Sequence, residues 1–296
     1  MKTTFTTVLL LTITVYLSCG LEGKKEKKST DFSREHTDVL QQDLPKKNIY
    51  YRFPSAKEML SYIKTEELNY RTGIVNPVNN LDNYYSTKAK TLNLGVYITD
   101  LSYMILFDRT QNIERYFNVI FNLTNDLRIK IPDEEELIEQ ISKNMDDSEK
   151  LLQIAEEYQT KIIDHLLNTG QEKTLAVITT GSYIEGLYIS TKLLSNSDTQ
   201  EKTLKKIADQ KHAFRNLTKF SQSFEKDINT KAALVYLKDI NSFFNSLPVI
   251  KEETEVKKDE SNLLLIEGGK KSEITPENFN ELKSIVSRIR TEIVEN

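Results

Sequence analysis

The stretch KAKTLNLGVYITDLSYMILFD, residues 88–108, decides how this chain folds. Between Lys90 and Asp108 its one charged residue is Asp100, it contains no proline, and only Gly95 interrupts its helical character. Apolar residues occupy more than one side of the helix that this segment would form, so the helix is apolar nearly all round. Such a helix lies in the middle of a protein, covered by other helices. The stretch therefore predicts a central buried helix.

A second stretch of the same character is AVITTGSYIEGLYIST, residues 176–191, again with one charge, Glu185. It predicts a second buried helix over about 174–194, and the two helices should form the core. Nine glycines and six prolines are few for 296 residues, which disfavours turn-rich β folds. The sequence therefore predicts an all-α protein, a multi-helix bundle or a helical-repeat-like array, in which a short β-hairpin could form near 249–266.

The last predicted helix, which follows Thr275-Pro276, carries an apolar stripe at helical spacing. We expect this stripe to dock on the main body; the alternative is an amphipathic helix offered to a partner.

The two buried stretches resemble each other. GVYITDL (95–101) and GSYIEGL (181–187) share Gly, Tyr, Ile and Leu at four of seven positions. One interpretation is a duplicated helical unit, in which the glycines let two backbones approach closely. The other is chance matching between two apolar helices.

The first twenty residues, MKTTFTTVLLLTITVYLSCG, predict a signal peptide over 1–18. Lys2 is its positive start, and the apolar run 8–17 is shorter than the ~20 residues that a membrane-spanning helix needs. The chain's single cysteine, Cys19, directly follows. Leu17-Ser18-Cys19-Gly20 resembles the lipobox of bacterial lipoproteins. An ordinary secretory signal with an incidental cysteine is the alternative.

The lipobox resemblance implies cleavage before Cys19 and attachment of fatty acyl chains such as palmitate to this residue. It also implies a place in the outer membrane, because Gly20 stands where an aspartate would imply retention at the inner membrane. Residues 19–48 are polar and predict a flexible tether that leaves a helical domain, 49–296, facing the periplasm. The expected partners are the membrane, through the lipid, and an envelope protein.

Two motifs carry a further resemblance. NLGVYxxDLxY (93–103) and IEGLYI (184–189) are similar to a family of all-helical Bacteroidota lipoproteins and secreted proteins. The resemblance covers roughly residues 51–194. It implies the fold and the compartment, and no activity is assigned to that family.

The polar residues inside the apolar helices are the candidate site. Asn93 and Asp100 are seven residues apart and share a helix face with Tyr97; Glu185 and Tyr188 lie on the second helix. A buried carboxylate is costly unless it is paired. One hypothesis is a pocket between the two helices that binds a small polar ligand. The alternative is that both carboxylates hydrogen-bond within the core for structural reasons.

Other chemistry finds little support in the sequence. The three histidines, His36, His165 and His212, show no metal-ligand spacing, and we expect neither a metal nor a cofactor. No catalytic residues are predicted, because no nucleophile–base pair can be named. A net charge of −4 with no dense basic face disfavours nucleic acid as a partner. The sequence favours a non-catalytic binding or scaffolding module of the cell envelope.

Overall fold

The computed structural model describes residues 60, 68–109, 112–194, 200–258 and 264–295. The predicted signal peptide 1–18, Cys19 and the tether 19–48 lie outside the described residues.

The described chain forms eight α helices, a 3₁₀ helix and a two-stranded sheet. The elements are, in order, the 3₁₀ helix Val78–Asn83, α1 Thr87–Leu106, α2 Ile113–Asp126, α3 Glu134–Lys143, α4 Ser148–Asn168, α5 Glu172–Leu193, α6 Gln200–Gln222, α7 Ile228–Ser246, β1 Val249–Lys258, β2 Leu264–Ser272 and α8 Pro276–Glu295. The prediction of an all-α, multi-helix array is confirmed.

Helices α1 and α5 are the two predicted buried helices. Every residue from 91 to 106 of α1 is buried. The side chain of Ser86 starts this helix by accepting a hydrogen bond from the Ala89 amide. The helix ends two residues before the predicted position, because the chain turns at Phe107 and Asp108, where Asp108 takes a left-handed φ of 54°.

The other helices cover this pair. Helices α2 and α4 pack on α1, helices α6 and α7 pack on α5, and α8 packs on both members of the pair. Each covering helix presents an apolar stripe inward; on α8 the buried residues are Phe279, Leu282, Val286, Ile289, Ile293 and Val294. The expectation that the last helix docks on the main body is therefore confirmed.

The predicted hairpin is present and longer than expected. Strands β1 and β2 pair antiparallel, with Val249 opposite Ser272 and Lys258 opposite Leu264. The sheet continues past the predicted end at 266, since Gly269 pairs with Glu252 inside β2.

Helices α1 and α5 touch through their backbones. A Cβ added to Gly95 would lie 2.0 Å from the carbonyl oxygen of Ile178, and one added to Gly181 would lie 2.0 Å from that of Leu92. Both distances are far below van der Waals contact, so only glycine fits at either position. The expected close approach at these glycines is confirmed.

Hydrogen bonds reinforce the same crossing. Ser182 Oγ donates to the carbonyl oxygen of Gly95 at 3.0 Å, and Thr99 Oγ1 donates to that of Ser182 at 3.3 Å. Gly95 lies against Ile178, which is three residues before Gly181, and Gly181 lies against Leu92, which is three residues before Gly95. The contact is therefore reciprocal, while the duplication itself stays a prediction.

Candidate functional site

The two carboxyl groups predicted inside the core face each other. Asp100 on α1 and Glu185 on α5 are both completely buried. Their carboxyl groups lie close enough for each to shift the pKa of the other. Because a carboxylate has no donor, the two groups can hydrogen-bond each other only when one of them holds a proton.

The surroundings of Asp100 favour its protonated form. Asp100 Oδ2 accepts a hydrogen bond from the backbone N–H of Asn76 at 2.9 Å. Asp100 Oδ1 is buried and finds no donor among the described residues. Burial raises the pKa of Asp100 well above its ordinary value, and the negative charge of Glu185 raises it further. Of the two carboxyl groups, Asp100 is therefore the one whose surroundings favour the protonated form.

Glu185 keeps its charge because a cation reaches it. Burial raises the pKa of Glu185, but the charge and hydrogen bonds of Arg290 oppose that shift. Arg290 Nε donates to Glu185 Oε2 at 3.1 Å, and Arg290 Nη2 donates to Glu185 Oε1 at 3.4 Å and to the carbonyl oxygen of Ile74 at 3.3 Å. This fork on a carboxylate is the arrangement for which arginine is suited.

Arg290 was not predicted as a site residue, although its position in the sequence of α8 indicates a buried cation. It stands four residues after Val286 and three before Ile293, which places it on the buried face of α8. Its side chain is only 12% exposed. Burial by itself would lower the pKa of Arg290, but the facing carboxylates, Glu185 first, raise it. A cation on an apolar helix face indicates an anionic partner elsewhere in the core.

Tyr188 lies at the edge of this cluster and is half-buried. The guanidinium of Arg290 stands over its ring, 4.7 Å from the centroid, and the ammonium of Lys192 lies 5.1 Å from the same centroid. Cations at these distances are attracted to the ring face. Tyr188 therefore shields the outer side of the Arg290–Glu185 ion pair.

Asn93 connects α1 to the end of α8. Its side-chain amide donates to the carbonyl oxygen of Ile293 at 2.9 Å and to that of Ala89 at 3.0 Å. The hydroxyl of Tyr84 donates to the neighbouring carbonyl oxygen, that of Val294, at 3.2 Å. The last carbonyls of a helix have no partner inside the helix, and these two side chains supply donors for them.

Asn76 connects the buried carboxyl groups to Asn93 and Tyr84. Besides its backbone bond to Asp100, its side chain donates to the hydroxyl of Tyr84 at 2.9 Å and to Asn93 Oδ1 at 3.2 Å. Its carbonyl oxygen accepts a hydrogen bond from the hydroxyl of Tyr116 at 2.9 Å. Asn76 was not predicted, because it lies in an irregular segment where the sequence has no periodicity.

Tyr97 completes the network. Its hydroxyl donates to the carbonyl oxygen of Pro77 at 2.9 Å, and its ring meets those of Tyr84 and Tyr116 edge-on. Burial raises the pKa of all three tyrosines, so each hydroxyl stays neutral and serves as a donor. The structure thus brings the five predicted residues, Asn93, Tyr97, Asp100, Glu185 and Tyr188, into one cluster and adds Asn76, Tyr84, Tyr116 and Arg290.

The facing carboxyl groups give this cluster the chemistry to hold a proton. Its acids, amides and hydroxyls contact one another or the backbone. Within the described ranges, no group of three or more His, Cys, Asp or Glu side chains could hold a metal ion.

No similar protein was found from which a function could be assigned to this chain. Neither a scan against protein-family models nor searches of the curated proteins and of the solved structures found a match. In the part of the chain that the structure describes, no helix combines the length and the apolar character needed to cross a membrane. Functional proposals therefore rest on the residues of this chain.

A cavity of about 220 Å³ borders the cluster at Tyr116 and at Pro77, the residue after Asn76. The side chains of Asn79, Asn112 and Arg115 make no hydrogen bond or ion pair with the described part of the chain. The cavity includes no residue of α5, whereas the predicted pocket was to lie between α1 and α5; its lining residues are Pro77, Val78, Asn79, Asn112, Arg115 and Tyr116.

Proposed function

We propose that this chain is a lipid-anchored protein of the bacterial cell envelope, held in the outer membrane through Cys19 and facing the periplasm. Its helical body is a non-catalytic binding or scaffolding module. The observation that carries the proposal is the position of the chain's single cysteine, directly after a signal-like apolar run and within Leu17-Ser18-Cys19-Gly20.

The polar cluster supports a body without catalysis. Glu185 is engaged by Arg290, and Asp100 by Asn76 and Glu185. Both carboxyl groups are completely buried, so neither reaches a substrate from solvent. These groups fix the packing of α1, α5 and α8 against one another, which suits a rigid scaffold.

The anchor is tested by Cys19→Ala in a bacterial host. We expect the wild type to fractionate with membranes and to carry a lipid-sized mass increase, and the variant to lose both. The physical reason is that each buried CH₂ of an acyl chain adds ~0.8 kcal/mol to membrane binding, so several chains anchor firmly. Intact mass and membrane fractionation are the measurements.

Ser33→Ala, in the predicted tether, is the matched control and should behave as the wild type. If the wild type and Cys19→Ala are both soluble with the same processed mass, the anchor is wrong and a freely secreted binding protein takes its place.

A second candidate function is the binding of a small polar ligand, and the cavity at Arg115 favours it. One cation and two amide side chains, which have no hydrogen-bond partner among the described residues, line a space of about 220 Å³ whose walls also include Tyr116. Pockets that recognise small molecules combine apolar walls with a few polar groups in this way. The positive charge selects a small anion.

Arg115→Ala tests this candidate. With succinate and inorganic phosphate as probes, we expect one of them to raise the Tm of the wild type and the variant to bind at least tenfold more weakly. The reason is that a charge-assisted hydrogen bond contributes about 1.5–3 kcal/mol. Arg215→Ala, an exposed arginine on α6, is the control and should bind as the wild type. No rise in Tm with either probe argues against this candidate.

A further inference from the structure

The core contains more acid than base. Two completely buried carboxyl groups, on α1 and α5, are met by a single guanidinium from α8. Among the described residues, the other groups that face the pair are backbone atoms and the neutral hydroxyls of Tyr84, Tyr97, Tyr116 and Tyr188. If both carboxyls were ionised, one negative charge would stay uncompensated in the buried core.

Such a charge is among the most expensive features that a core can contain. The atom that would carry it, Asp100 Oδ1, has no donor within the described residues. One proton between Asp100 and Glu185 removes the excess charge and supplies the missing hydrogen bond at once. Arg290 fixes which carboxyl stays ionised, because both of its contacts to the pair go to Glu185.

We infer that Asp100 and Glu185 share one buried proton, and that this proton is a pH-sensitive lock between α1 and α5, the two helices on which the whole body packs. With the proton present, the helices are joined by a carboxyl–carboxylate hydrogen bond. When the proton leaves, two carboxylates face each other across the same contact and repel.

The direction of the pH effect follows from linkage. The pKa of Asp100 is raised by burial above the value of about 3.9 that it has in the unfolded chain. Its contribution to stability is therefore complete below about pH 4 and is lost as the pH rises through the folded-state pKa. The protein should become less stable from the acidic towards the alkaline range. The pKa of Glu185 is also raised by burial, so this group acts in the same direction.

Urea unfolding of the full chain from pH 6 to pH 9 tests the lock. For the wild type, we expect the unfolding constant to increase by up to tenfold for each pH unit, the slope for one proton. Asp100→Asn should abolish this dependence, because its amide accepts from Asn76 and donates to Glu185 without a titrating group. Its urea midpoint should exceed that of the wild type at pH 9. Asp164→Asn, at an exposed site on α4, should keep the wild-type slope.

Infrared spectroscopy gives an independent measurement of the proton itself. The carbonyl stretch of a protonated carboxylic acid should be present in the wild type at pH 7 and in Asp164→Asn, and absent in Asp100→Asn. A wild-type stability that does not change between pH 6 and pH 9, together with no such band, would overturn the inference. So would an Asp100→Asn variant with the wild-type slope.

Discussion

Replacing Gly95 with alanine is expected to lower the free energy of unfolding by more than about 4 kcal/mol or to prevent folding altogether. The added Cβ would stand 2.0 Å from the carbonyl oxygen of Ile178 and 2.6 Å from the amide nitrogen of Ser182, both of which are backbone atoms of α5. No rotamer change relieves such a contact, so α1 and α5 must separate. The gain of about 1 kcal/mol in helix propensity cannot offset this loss. Urea unfolding followed by circular dichroism is the measurement.

Gly73→Ala is the matched control. A Cβ at Gly73 meets nothing within 4 Å, and only its φ of 74° opposes a side chain, which costs about 1–2 kcal/mol. If Gly95→Ala is no more destabilising than Gly73→Ala, the backbones do not touch as described.

Replacing Arg290 with methionine is expected to lower the free energy of unfolding by about 3–5 kcal/mol. Methionine retains much of the apolar stem, so the main loss is the cation that compensates Glu185. A buried carboxylate left without its partner is far more costly than the pair itself is favourable. Glu185 would then take up a proton, and the loss should increase with pH. The measurement is urea unfolding at pH 6 and pH 8.

Arg288→Met provides the control on the same helix. Arg288 pairs with Asp239 and Glu292, but its side chain is 52% exposed, so solvent screening limits the loss to about 1 kcal/mol or less. The double variant Glu185→Gln with Arg290→Met should recover part of the stability that Arg290→Met loses, since no buried charge remains. Equal losses in the two methionine variants would mean that Glu185 is not ionised in the folded protein.

The parts of the fold that were predictable are those in which local pattern and tertiary environment agree. Helices α1 and α5 are apolar all round and could only be buried, and a single carboxylate in each therefore had to find a partner in the core. The end of α1 was placed too late, because nothing in the sequence around Asp108 announces a left-handed residue. Hairpin residues near 249–266 were recognised, but their continuation to Ser272 passes through two glycines that normally weaken a strand.

Only part of the candidate site was predictable, because the sequence shows which polar residues are buried but not which distant residues they contact. Asp100 and Glu185 stand out against apolar neighbours. Arg290 is 105 residues from Glu185, and the pairing depends on how α8 docks. Asn76 lies outside any helix and enters the cluster through one backbone N–H and one amide side chain. Such contacts are set by the packed structure rather than by local sequence.

The reciprocal contact at Gly95 and Gly181 bears on why the two core helices look alike. It has the geometry of an isologous interface, in which one patch meets a copy of itself. The two glycines meet the same demand at this crossing, so their match follows from the contact itself, whether or not the two helices arose by duplication. The acids occupy positions where the copies differ: Asp100 corresponds to a glycine, and Glu185 corresponds to a threonine. The glycine contact is therefore symmetric between the two helices, whereas the placement of the buried carboxyl groups is not.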